Sequence, residues 1–175
     1  MDAPITEKKA DSAADIFRKA EKHFICPPFN VEESRRLCQE AASMGHTGAK
    51  GLLSDFLYYG LGGPKDEVQA FKLAAEAAEA GNFWGQLIKA TCLGNGHGGV
   101  GRDDKAALKL YEAAAAQDCG AAMLALGYYH ELGIGVPRDL GKAKQWFQKA
   151  AERPEVVWQQ SSKAAEAKLA AMGSK

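Results

Sequence analysis

Gly94, Gly96 and Gly99, within GNGHGGVGRDDKAA (94–107), satisfy G-x-G-x-x-G. That spacing cradles a dinucleotide pyrophosphate when it follows a β-strand and opens a helix. Here the preceding stretch, GQLIKATCL (85–93), carries its apolar residues at helical spacing, and no βαβ alternation exists along the chain. The context that nucleotide binding requires is missing. A second set comprises Cys26, Cys38, Cys92 and Cys119 with His23, His46, His97 and His130, residue types that ligate zinc. No C-x-x-C occurs and no pair of short ligand spacings supports a metal site, so the thiols are expected to be reduced and partly buried. The carboxylates fall mostly at helix caps or beside lysines, as in Asp103-Asp104-Lys105, the pattern of a solvated surface. No Ser/His/Asp or Cys/His set falls at contact distance. The expectation is a non-catalytic chain that needs neither cofactor nor metal.

What the glycines do need is visible in the elements around them. The alanine pairs Ala41-Ala42, Ala77-Ala78, Ala114-Ala115 and Ala150-Ala151 recur at steps of 36, 37 and 36 residues. Asn30, Asp66, Asp103 and Asp139 recur at the same steps, as do Leu37, Leu73, Leu110 and Trp146. Asn and Asp are helix N-caps, because the side-chain oxygen accepts from an otherwise orphaned backbone N–H. Asn30–Glu33 and Asp66–Gln69 also fit the capping-box spacing. The Leu/Trp position supplies a large apolar knob, and the alanine pair admits a neighbouring helix. Gly45 and Gly81 suit left-handed C-caps, with Asp118 and Pro154 replacing them later. Each unit opens with another helix, at 49–59, 85–93 and 122–132, which runs into Gly60, Gly94 or Gly133. The unit is helix, glycine turn, helix. The third copy carries one extra residue, and the register places it between 85 and 103, in the glycine loop.

The stretches GLGGPKDEVQAFKLAAEAAEAG (60–81) and ALGYYHELGIGVPRDLGKAKQWFQKAAERP (125–154) resemble the Sel-1-like repeat, a relative of the tetratricopeptide repeat. The last copy matches the family pattern at Ala122, Leu126, Gly127, Gly133, Gly135, Val136, Asp139, Lys142, Ala143, Trp146, Lys149, Ala150 and Ala151. His130 stands where the family usually has Tyr, Lys89 replaces a leucine, and Cys26-Pro27-Pro28 replaces the first glycine turn. The resemblance implies an all-α, right-handed superhelix of about four helix-turn-helix repeats. Its expected organisation is a flexible N-terminus (1–9) and a repeat domain (10–153) with units near 13–45, 49–81, 85–118 and 122–154. A capping helix (154–173) containing Trp158 then covers the last repeat. Residues 10–24, with Ile16, Phe17 and Ala20 on one face, would begin the stack.

The resemblance also implies an adaptor or scaffold that binds a protein or peptide in the concave groove lined by the first helices. Groove positions of the tetratricopeptide relative map onto Asp55, Tyr58 and Tyr59 in the second unit. They map onto Trp84, Leu87, Thr91 and Asn95 in the third, and onto Leu124, Tyr128 and Glu131 in the fourth. Aromatics at helical spacing serve equally as packing between repeats, so for Tyr59 and Tyr128 both roles stand open. The alternatives are a self-associating structural module and a metal-binding or hydrolytic protein using the Cys/His set. Twenty-two basic residues cancel 22 acidic ones, which argues against a nucleic-acid partner. With no membrane span and no signal-like start in MDAPITEKKADSAAD, the expected address is cytoplasmic, with secretion by a dedicated machine still open, and the expected state a monomer or a weak self-associate.

Overall fold

A computed structural model describes residues 11–153 and 159–173. The flexible start expected at 1–9 and the beginning of the capping segment, including Trp158, lie outside the described residues. The described residues form nine α-helices and no strands: α1 (Ala13–Ile25), α2 (Val31–Ser43), α3 (Thr47–Tyr59), α4 (Glu67–Glu79), α5 (Phe83–Asn95), α6 (Asp104–Ala115), α7 (Gly120–Leu132), α8 (Leu140–Ala151) and α9 (Gln159–Gly173). They pair as α1/α2, α3/α4, α5/α6 and α7/α8, with α9 packed on α7 and α8 as the first helix of a further unit would be.

The two layers differ because their surroundings differ. An inner helix is flanked by its own partner and by both neighbouring units, so α3 buries eight of its 13 residues. The outer helix α4 buries only Ala70, Ala74 and Ala77, one stripe of an otherwise polar surface. Inner helices also touch one another, α3 against α5 and α7 against α9, whereas successive outer helices barely meet. The inner layer is therefore the concave one.

The repeated positions act as their chemistry dictates. Asn30, Asp66, Asp103 and Asp139 each accept the backbone N–H three residues on. The reciprocal half of the capping box closes only at Ser12–Asp15, not at Asn30–Glu33 or Asp66–Gln69. Ala41, Ala77, Ala114 and Ala150 are fully buried. Gly45, Gly81 and Asp118 all take positive φ, at 86°, 78° and 62°.

Three readings need correction. The first helix of the third unit does not stop at Gly94. It runs through Asn95 to a left-handed Gly96 (φ 70°), the equivalent of Gly60 (71°) and Gly133 (71°). Gly94 instead makes room inside the helix, since a Cβ there would stand 2.4 Å from the Tyr129 hydroxyl. Next, Leu73, Leu110 and Trp146 are only half-buried. Leu73 lines a cleft between α2 and α4 that is floored by Leu53 and Leu57 of α3. The deep position is one residue later, occupied by Cys38, Ala74, Tyr111 and Phe147. Lastly, Asp104 pairs with Arg102 at 2.8 Å rather than with a lysine.

That deep position differs in size from unit to unit, and its neighbours differ with it. Where it is small (Ala74), the helices close up: a Cβ on Gly85 would stand 2.6 Å from the Ala77 Cβ, and one on Gly51 would stand 3.0 Å from the Trp84 Cβ. Where it is large, space is made elsewhere. Phe147 fills the notch at Gly127, where a Cβ would come within 2.3 Å of its ring. Tyr111 reaches through from the outer layer to Thr91 on α5. Leu87 stands where Gly51 stood one unit earlier, and α5 and α7 make no comparable contact.

Candidate functional site

The candidate surface is the inner face of α3, α5 and α7. The three helices end at equivalent residues, Tyr59, Asn95 and Leu132, each one residue before its left-handed glycine cap. Tyr59 is 56% exposed and Leu132 64% exposed, although both are large and apolar. Asn95 between them is also exposed. Tyr59 thus stands in solvent, while Tyr128 is half-buried.

Tyr58 is buried on the neighbouring turn and anchors a small polar network. Its hydroxyl accepts from Asn95 Nδ2 at 3.1 Å and lies 3.0 Å from His97 Nδ1. His97 Nδ1 is also 3.4 Å from Glu67 Oε1, and Glu67 pairs with Lys65 at 2.6 Å. Lys65 in turn stands over the Tyr58 ring, 5.4 Å from its centroid. This network uses the turn of the third unit. Gly98 packs on the Glu67 carbonyl, as Gly62 packs on Val31 and Gly135 on Asp104, in each case the first residue of the preceding outer helix. Any Cβ at these positions would come within about 3 Å of that backbone. The extra residue of the third turn is accommodated beside Gly98, at Gly99 (φ 81°), which points into open space.

Deeper in the concavity, Tyr111 Oη donates to Thr91 Oγ1 at 3.1 Å, and Thr91 Oγ1 donates to the Leu87 carbonyl at 2.8 Å. Burial pushes the Tyr111 hydroxyl well above the usual range, so it remains a donor. Tyr59 is exposed as a residue, yet desolvation, with the Asp55 charge adding to it, pushes its hydroxyl pKa up to about 12. Asp55, one turn before Tyr59, is 6% exposed, and burial alone raises its carboxyl from 3.8 to about 7. Among the described residues, no hydrogen bond or ion pair reaches that carboxylate.

The remaining positions divide into two groups. Trp84 and Leu87 are buried, Trp84 against the rings of Phe24 and Phe83. Leu124 is half-buried against the core. Tyr128 and Glu131 are engaged by α9: Lys168 bonds Glu131 at 2.8 Å and stands over the Tyr128 ring at 4.9 Å. The exposed positions of this face are therefore Tyr59, Asn95 and Leu132. Tyr111 and His97 are contributors that groove positions cannot reveal, since one comes from an outer helix and the other from a turn. Tyr111 had a signal, being bulky where earlier units carry Cys38 and Ala74.

Among the described residues, no three His, Cys, Asp or Glu side chains gather into a metal-holding group. Cys38, Cys92 and Cys119 are buried, with thiols that desolvation pushes up to about 12. No helix among the described residues is long and apolar enough to cross a membrane.

Comparison with known proteins agrees with this architecture. The chain is 34% identical over 130 residues to chitin synthase regulator SKT5 of Malassezia restricta, an alignment covering 69% of this chain and 8% of that protein. It is 28% identical over 127 residues to chitin synthase regulator SKT5 of Saccharomyces cerevisiae, covering 70% and 18%. The chain thus spans under a fifth of the length of the curated relatives it matches. Among solved structures, a Sel1 repeat protein from Oxalobacter formigenes superposes with a TM-score of 0.67 at 22% identity, covering 92% of this chain and 66% of that one. A protective antigen of uropathogenic Escherichia coli with an SLR fold gives 0.60 at 23% identity, covering 84% and 32%. Proteins built of such repeats generally mediate protein–protein interaction and are generally non-catalytic. A sequence model of the Sel1 repeat matches residues 24–46, 50–82, 90–119 and 120–154, and with these four copies the chain belongs to the Sel1 repeat family.

Proposed function

We propose that this chain is a non-catalytic adaptor that holds a protein segment along the inner face of α3, α5 and α7. The observation that carries the reading is the pair Tyr59 and Leu132, large apolar side chains left in solvent at equivalent inner positions. Neither is needed to close the core, and aromatic or aliphatic residues standing proud of a concave wall are the usual anchors of a binding surface. Between them Asn95 supplies polar contacts. The regulator name borne by both curated relatives is consistent with a part that positions other proteins and performs no chemistry itself.

The test is site-specific photocrosslinking in the native cell. A benzophenone side chain at Tyr59 or Leu132 should capture a defined partner, while one at Glu112 on the outer helix α6 should not. Capture from Glu112 and not from the inner positions would overturn the reading. A crosslinked dimer of this chain would put self-association in its place.

A further inference from the structure

We propose that Asp55 is the docking point for a lysine or arginine side chain of the bound segment. This deepens the adaptor reading and rests on it. Asp55 occupies the register position whose equivalents, by the 36- and 37-residue steps of the repeat, are Lys19 in the first unit and Thr91 and Tyr128 in the following ones, so a carboxylate stands at this level in the second unit alone. Its side chain is 94% buried by surface and still meets no donor or cation among the described residues. Three lysines of the surrounding helices and turns pair with other carboxylates: Lys50 with Glu76 at 2.6 Å, Lys65 with Glu67 at 2.6 Å and Lys168 with Glu131 at 2.8 Å.

A buried carboxylate with no partner is expensive, and an asparagine of the same shape would avoid that cost. The charge makes physical sense when a cation from outside completes it. The surroundings suit one. Tyr59 stands one helical turn away with an exposed ring, set edge-on to Tyr58 at 4.9 Å, so an aromatic face flanks the approach. A long cationic side chain has the length to enter there with its head on Asp55 and its methylenes along Tyr59.

The experiment is selection of a phage-displayed library of random dodecapeptides on the full chain, run in parallel on Asp55→Asn and Tyr59→Ala, with thermal melts confirming that each variant is folded. Wild-type protein should enrich sequences sharing a lysine or arginine at a fixed distance from an apolar residue. Asp55→Asn should lose that preference and bind the selected peptides about tenfold or more weakly, the size expected for one charge-assisted hydrogen bond. Replacing the peptide's cation by norleucine should weaken binding to wild type by a similar factor and leave binding to Asp55→Asn unchanged. Enrichment of peptides without a cation, or a preference that survives in Asp55→Asn, overturns the inference and leaves the groove in place. Peptides bound equally by Tyr59→Ala show that the inner face is not where they bind, and both readings then fall.

Discussion

The sharpest consequence of the structure is a pH dependence of stability arising from one residue. Asp55 has its carboxyl raised from 3.8 to about 7 by burial. In the folded state it keeps its proton through a range in which the unfolded chain has already released one. The unfolded state therefore binds fewer protons between about pH 4 and 7, and stability falls as pH rises across that window. A shift of about three units at about 1.36 kcal/mol each makes the full loss about 4 kcal/mol by pH 8. The groups that feel this charge, the Tyr59 hydroxyl and the Cys119 thiol, are pushed up to about 12 and stay neutral throughout. The assay is urea denaturation of wild type and Asp55→Asn at half-unit steps from pH 4 to 8. Subtracting the variant removes contributions common to both, such as that of Glu21. The difference in unfolding free energy should move in favour of the variant steadily from about pH 4 and level off near 7. A difference that stays constant across the range would show that Asp55 is ionised and solvated in the folded protein, and the desolvation argument would fail with it.

Packing and thiol chemistry give two further tests. Gly127→Ala places a methyl 2.3 Å from the Phe147 ring and should cost about 1–3 kcal/mol in urea denaturation, partly recovered by adding Phe147→Leu. Failure of the second change to recover anything would mean that the strain lies elsewhere. Maleimide treatment of native protein should modify Cys26 alone, the one exposed thiol of the four, with all four reacting in denaturant. Intact-mass measurement of more than one native adduct would contradict the burial of Cys38, Cys92 and Cys119.

The periodic features were legible in the sequence because each follows from local chemistry. Asp66 caps a helix wherever a helix begins after it, and Gly45 or Gly81 takes a left-handed turn whatever packs beyond. An alanine pair recurring every 36 or 37 residues states that two helices must approach there. The glycines of GNGHGGVGRDDKAA were placed in a turn for the same reason, since equivalent turns lay one unit before and one unit after. The period also marks the end of α5 at Gly96, which stands 36 residues after Gly60 and 37 before Gly133. What it could not supply is why Gly94 is also glycine, since that depends on the neighbouring Tyr129 hydroxyl.

The groove was legible as a list of positions, and the tertiary structure decided what each position does. Tyr58 and Tyr59 are adjacent and identical, yet one is buried under Asn95 and His97 and the other stands in solvent. A helix turns about 100° per residue, so that division depends on the rotation of α3 in the stack. Glu131 and Tyr128 read as open groove until α9 brings Lys168 over them from 37 residues away along the chain, in the case of the glutamate. Asp55 is the clearest case. Its identity and its inward register follow from the sequence, but its missing partner is a property of everything that folds around it. Capping, turn formation and helix periodicity are short-range and repeat with the chain. Burial and charge compensation are sums over distant neighbours, and those exist only once the units have stacked.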